Sequence, residues 1–189
     1  MGNRLRTFVA VELSREIAGK IAVIQEELRG IKGRISWVKP ESSHLTLRFL
    51  GGVEEGKIED IHRALLHAVA CIHPFTVVVR GVGAFPSLTN PRVIWLGVEG
   101  GEQLGVIYER LEDELESIGF KREERGFHPH ITVGRVRHIA RKRALVEGFE
   151  RFREVEVGSL PVRRVLLFRS DLRPSGALYT MLREARLGE

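Results

Sequence analysis

Apolar residues at Ile17, Ile21, Ile24 and Leu28 recur at helical spacing, with Ser14 ahead of them as an N-cap and Gly30 behind, which predicts a first helix. Ile58, Ile61, Leu65, Val69 and Ile72 predict a second, stopped by Pro74. Leu104, Ile107, Leu111, Leu115 and Ile118 predict a third, closed by Gly119 at C′, and a shorter basic helix is expected over residues 140–149. Between these segments the period falls to two. Residues 4–13, 44–50 and 130–136 read as strands, as do 162–168 and 178–182, and a short apolar run over 35–38 precedes Pro40. Residues 75–82 and 92–98 read as a hairpin whose long loop holds Pro86 and Asn90-Pro91.

Helices and strands alternate, but the closely spaced strand pairs favour antiparallel pairing, so the predicted class is α+β rather than doubly wound. A helix precedes and another follows each of the strands 44–50 and 130–136, which suggests two similar lobes. No linker or low-complexity segment divides the chain, and residues 1–189 are expected to form a single bilobal domain.

Composition narrows the picture. A chain of 189 residues is long enough to bury a core without staples, and its single cysteine, Cys71, cannot pair internally. Cys71 lies in the apolar helical pattern and reads as a buried structural thiol. There is no apolar run of bilayer length and no signal-peptide core, so a cytoplasmic protein with no membrane association is expected. The formal net charge is +5 and the pI about 9.8. Residues 121–189 hold sixteen Lys and Arg against nine Asp and Glu, whereas the preceding residues hold fourteen against sixteen. A basic last third suits a polyanionic partner. Only four Asn and Gln in a charge-rich chain is a bias of heat-adapted proteins, which suggests a thermophile.

The chemistry is carried by a repeated motif, His44-Leu45-Thr46-Leu47 and His130-Ile131-Thr132-Val133, whose histidines are 86 residues apart (130 − 44). In a strand, residues i and i+2 point the same way, so each motif presents an imidazole beside a hydroxyl while Leu45, Leu47, Ile131 and Val133 face the core. Two such faces brought together suit phosphodiester hydrolysis. One neutral imidazole takes a proton from water, and the other, protonated, gives one to the departing sugar oxygen. The threonine hydroxyls can bind non-bridging oxygens as charge develops. The spacing leaves open which histidine is the acid. A zinc site at His128 and His130 is the rival, disfavoured by the intervening Pro129, the lone cysteine and the lack of a nearby acidic ligand. His62, His67, His73 and His138 read as surface or helix-packing residues. Arg48 alternates onto the face of His44 and Thr46, where it meets phosphate or is solvated at its tip. Arg135 falls on the opposite face from His130 and reaches phosphate only if a bulge re-aims it. Phe8 and Tyr179 are candidates to stack a base, against the commoner core role of strand aromatics.

On these residues the chain resembles the 2H phosphoesterase superfamily and, within it, the RNA 2′,3′-cyclic phosphodiesterases, also called 2′-5′ RNA ligases. The resemblance runs nearly end to end. It includes Arg6-Thr7-Phe8-Val9-Ala10, Trp37-Val38-Lys39-Pro40, His44 through Gly51, Phe85-Pro86 and Pro91-Arg92-Val93-Ile94-Trp95. It continues in Phe127 through Arg135, Ser170-Asp171-Leu172, Gly176 and Tyr179. It implies two pseudo-symmetric lobes, each an antiparallel sheet with helices, around a central cleft where the motifs face one another, with no metal or organic cofactor. It also implies His44 as proton donor to the leaving 3′ oxygen, His130 as proton acceptor from water, and a 2′-phosphate product. The expected partner is RNA with 2′,3′-cyclic phosphate ends, tRNA fragments included, bound by a monomer. The same histidines could run the reverse ligation, and a non-catalytic RNA-binding module is the reading from another class.

Overall fold

The computed structural model describes residues 4–30, 33–139, 142–174 and 176–188. Among these residues, four helices follow the spacing of the apolar positions: α1 (Arg15–Arg29), α2 (Ile58–Val69), α3 (Glu102–Ser117) and α4 (Lys142–Arg151). Ser14 caps α1, its Oγ accepting from the Ile17 N–H at 3.2 Å, and Gly119 beyond α3 takes φ +93°, the left-handed turn its position predicts. The start of α4 expected at residue 140 lies outside the described residues. Cys71 corrects an expectation: α2 ends at Val69, and Cys71 is exposed in the following turn with φ +61°.

Among the described residues there are nine strands: β1 (Arg4–Glu12), β2 (Gly33–Trp37), β3 (His44–Glu54), β4 (Phe75–Phe85), β5 (Val93–Glu99), β6 (His130–Ile139), β7 (Glu156–Val162), β8 (Arg164–Arg173) and β9 (Gly176–Arg186). The pattern 162–168 merges the end of β7 with β8, because Gly158 and Pro161 hide the β7 signal. As an edge strand, β7 tolerates the missing donor of Pro161.

All pairings are antiparallel, in the order β7-β4-β5-β6-β3-β1-β8-β9, with β2 also paired to β6. Two half-sheets are evident, β3-β1-β8-β9 and β7-β4-β5-β6-β2, and they are joined through the register pair Leu45↔Ile131. Each half draws strands from both ends of the chain. Helices α2 and α3 pack together, α2 under β8 and β9 and α3 under β3, while α1 contacts β7 and α4 contacts β4. The core they enclose includes Ile17, Leu28, Leu45, Ile61, Ile94, Leu111, Ile131 and Phe149, none more than 1% exposed. Among the described residues no helix is long and apolar enough to cross a membrane.

Candidate active site

Both motif strands begin at their histidine, and they touch only where they begin. Leu45 and Ile131 are partners and 0% exposed, anchoring both strands in the core. In an antiparallel register the flanking positions then lie on the opposite face, His44 across from Thr132 and Thr46 across from His130. The two imidazoles therefore occupy one diagonal of a four-residue patch and the two hydroxyls the other. Between backbone positions such a diagonal spans about 7–8 Å, which puts both side chains within reach of one phosphate group. The two expected lobes thus meet as halves of one sheet, with the motifs side by side at the join.

The imidazoles are held alike. His44 Nδ1 lies 3.0 Å from the Ser42 carbonyl and His130 Nδ1 lies 2.7 Å from the His128 carbonyl. A carbonyl has no proton to give, so Nδ1–H donates in both rings and Nε2 is left to work on a substrate. Aromatic rings support each. Phe8 stacks on His44 at 4.6 Å between centroids with Tyr179 edge-on at 5.1 Å. Phe85 stands edge-on to His130 at 5.1 Å, with Trp95 at 6.5 Å. His44, Thr46 and Thr132 line a cavity of about 570 Å³ together with Arg6, Phe49, Arg135, Leu172 and Tyr179. His130 opens onto a second cavity of about 760 Å³, beside Phe85, Trp95 and His128.

Burial pushes the His44 pKa below its ordinary 6.5; the Ser42 carbonyl opposes this and the Arg135 charge adds to it. Burial likewise raises the Tyr179 phenol, against the pull of Arg135 and Arg6.

Paired bulges redistribute the arginines. Val9 pairs with Arg48 and Ala10 with Thr46, leaving Leu47 unpartnered, and Ile94 pairs with Gly134 and Trp95 with Thr132, leaving Val133 unpartnered. Leu47 and Val133 are equivalent positions in the two motifs. Past the bulge, Arg48 turns to the helix side, where it meets Glu112 of α3, so it is not placed to bind phosphate as alternation suggested. Arg135 is swung the other way, into the cavity of His44. Phe49 and Arg135 are both five residues past their histidine, and that equivalence could have singled out Phe49, which is 54% exposed at the cavity wall. Phe8 cannot stack a base. It is 2% exposed, with one face on His44 and the other on Phe168 at 5.3 Å. Tyr179 does line the cavity, where it braces His44. His128 is exposed and offers its carbonyl to His130. From the sequence, Arg6, Phe85 and Trp95 have a place in the family resemblance but no role in the site; Phe85 and Trp95 read as strand aromatics without a signal of their contact with His130. Among the described residues no three His, Cys, Asp or Glu side chains converge as a metal site.

The sequence model described as LigT like Phosphoesterase matches the chain twice, over residues 11–95 and 96–179. His44 and His130 fall 33 and 34 residues into the two matches (44 − 11 and 130 − 96). The RNA 2′,3′-cyclic phosphodiesterase of Methanothermobacter thermautotrophicus is 38% identical over 97% of this chain and 100% of its own length. That of Thermotoga maritima is 39% identical over 96% of this chain and 95% of its own. Among solved structures, TT0787 of Thermus thermophilus superposes with a TM-score of 0.80 at 31% identity, covering 97% of this chain and 98% of that one. Escherichia coli LigT, solved in complex with 3′-AMP, gives 0.75 at 25% identity, covering 98% and 99%.

Proposed function

The chain belongs to the LigT-like phosphoesterase family, and from that premise we propose that it is an RNA 2′,3′-cyclic phosphodiesterase in which His44 and His130 divide the proton transfers. The observation that carries this is the diagonal of two Nε2-presenting imidazoles crossed by two threonine hydroxyls on one sheet face. A cyclic phosphate seated there has water on one side of phosphorus and O3′ on the other. Water's oxygen forms the new P–O bond while P–O3′ breaks. The neutral His130 Nε2 takes the proton that water loses, and the protonated His44 Nε2 gives its own to O3′, leaving a 2′-phosphomonoester and a free 3′-hydroxyl. Thr46 and Thr132 donate to the non-bridging oxygens, with Arg135 adding charge at the cavity of His44.

Its substrates in this reading are RNA fragments with cyclic ends, tRNA pieces among them, since a 2′,3′-cyclic phosphate requires a 2′-hydroxyl. We place it as a monomer in the cytoplasm, where such fragments arise. Interleaving of strands from both ends of the chain in each half-sheet supports one domain rather than two.

The test is hydrolysis of a 2′,3′-cyclic nucleotide. The expected product is the 2′-monophosphate, and replacing either histidine with Ala costs about 10²- to 10⁴-fold. A substrate with an activated 3′ leaving group should partly rescue His44→Ala but not His130→Ala, because only the acid becomes dispensable. Rescue of His130→Ala alone would reverse the two roles.

A further inference from the structure

The approaches to the two motifs are built differently. Before His44 the chain makes a tight turn over Pro40–Ser42 closed by its own backbone, with Ser42 N–H donating to Lys39 O at 2.8 Å and Ser43 N–H to Pro40 O at 3.1 Å. Before His130, residues 120–129 form no helix or strand, yet this segment carries the His128 carbonyl that receives the His130 Nδ1–H. A segment without a regular backbone ladder is fixed by whatever its backbone groups and side chains meet.

What it meets is a polar node beneath β3. Arg48, four residues past His44, forms an ion pair with Glu112, whose side chain is 1% exposed. Its Nη2 donates to Lys121 O at 2.6 Å and its Nη1 to Glu123 Oε2 at 3.3 Å. The second Glu112 oxygen accepts the Glu123 N–H at 2.7 Å. One turn earlier on α3, Tyr108 stacks face to face on Phe127 at 4.6 Å. Strand β3, helix α3 and the segment before His130 are thereby tied at one point. A buried ion pair is a poor device for stability alone, since an apolar pair of similar size does as well. An apolar pair, however, could not bind the Lys121 carbonyl or the Glu123 N–H.

We propose that Arg48 and Glu112 are positioning residues, clamping residues 120–129 so that the His128 carbonyl holds the His130 ring with Nε2 toward the phosphate. The inference rests on the two-histidine reading above. It assigns Arg48 a task that a phosphate contact would not share with Glu112, which is too buried to touch a substrate.

The experiment compares Arg48→Met, Glu112→Gln and the double variant Arg48→Met/Glu112→Leu, the last chosen because an apolar pair in place of a buried ion pair keeps the fold. In all three, kcat on a cyclic nucleotide should fall about 10- to 100-fold, the scale of an ångström-sized misplacement, with KM nearly unchanged. Nitrogen-15 spectra of the free proteins should show the His130 ring losing its single Nδ1–H tautomer while the His44 ring is unmoved. A raised, salt-dependent KM confined to Arg48→Met would make Arg48 a phosphate ligand and overturn the proposal. So would wild-type kcat and an unchanged His130 spectrum in a less stable protein, or full recovery in the double variant. If His130→Ala itself retains turnover while the ring spectrum still responds to Arg48→Met, the two-histidine reading fails and the clamp stands.

Discussion

Gly83 tests the support of His130 most directly, because the indole of Trp95 lies where its side chain would be. The two residues are register partners on β4 and β5. A Cβ built on Gly83 falls 2.7 Å from Trp95 Cε2 and closer still to Cζ2 and Cη2. Carbon atoms in ordinary contact lie about 3.5–4.0 Å apart, so Gly83→Ala forces the ring to move by an ångström or more. The ring is not a flexible tip that can swing away: it is flanked by Phe85 at 5.2 Å and His130 at 6.5 Å. Overpacking of this kind costs about 1–3 kcal/mol. For a chain of this size each kcal/mol lowers Tm by about 2–4 °C, which gives a drop of about 2–12 °C. The displaced indole should also shift His130, reducing kcat by up to about 10²-fold. Thermal unfolding, turnover and tryptophan fluorescence in a Trp37→Phe background together make the assay. Gly134→Ala is the control: its Cβ meets Trp37 no closer than 3.0 Å and should be milder. An unchanged Tm and emission spectrum in Gly83→Ala would refute the packing of Trp95 described here.

Thr46→Val and Thr132→Val preserve the β-branched shape and each delete one hydroxyl, so Tm should hold while turnover falls on the order of 10²-fold; unchanged turnover would reassign both threonines to structure. The pH dependence has a defined sign. His44, as the proposed donor, loses its proton as pH rises, and burial holds its pKa below 6.5 in the free protein, so the falling limb of kcat/KM should lie below that value; a falling limb above 6.5 would count against His44 as the donor. Hydrolysis should survive exhaustive chelation, because the two imidazoles of the proposed mechanism supply both proton transfers; loss of activity restored by zinc would reverse this. Calorimetry should show one unfolding transition, and separate halves of the chain should each lack a foldable sheet.

The helices and the two motifs were legible in the sequence because their signals are local. Ile17, Ile21, Ile24 and Leu28 bury one face of α1 at a fixed period, and Leu45 and Ile131 are apolar positions that only a core tolerates. What escaped depended on pairing across the sheet. Alternation assigns Arg48 to the site and Arg135 away from it, and a one-residue bulge at Leu47 and at Val133 reverses both. Nothing in either sequence marks the bulge, since an unpartnered Leu or Val in a strand looks like any other. Phe8 failed as a base platform for a similar reason: whether an aromatic face is free depends on Phe168, 160 residues away. The segment 120–129 has no periodicity to read, and its order comes from Arg48 and Glu112, distant in sequence.

The duplicated frame makes the two histidines alike, whereas the reaction needs them different. Carbonyl partner, tautomer and bulge are shared, so the distinction must come from surroundings. His44 packs against Phe8 and Tyr179 and faces the charge of Arg135, and both effects disfavour its proton in the free protein. An imidazolium held below its ordinary pKa is the stronger acid, which suits protonation of a poor leaving group such as O3′. It is also the rarer species in the free protein. A phosphate anion seated beside His44 supplies the opposite charge that burial removed from water, and it offsets Arg135 at the same time. In the proposed mechanism substrate binding therefore arms His44: its proton is held firmly only while a phosphate is present to use it, and the falling limb of kcat should lie at higher pH than that of kcat/KM; coincident limbs would refute this coupling.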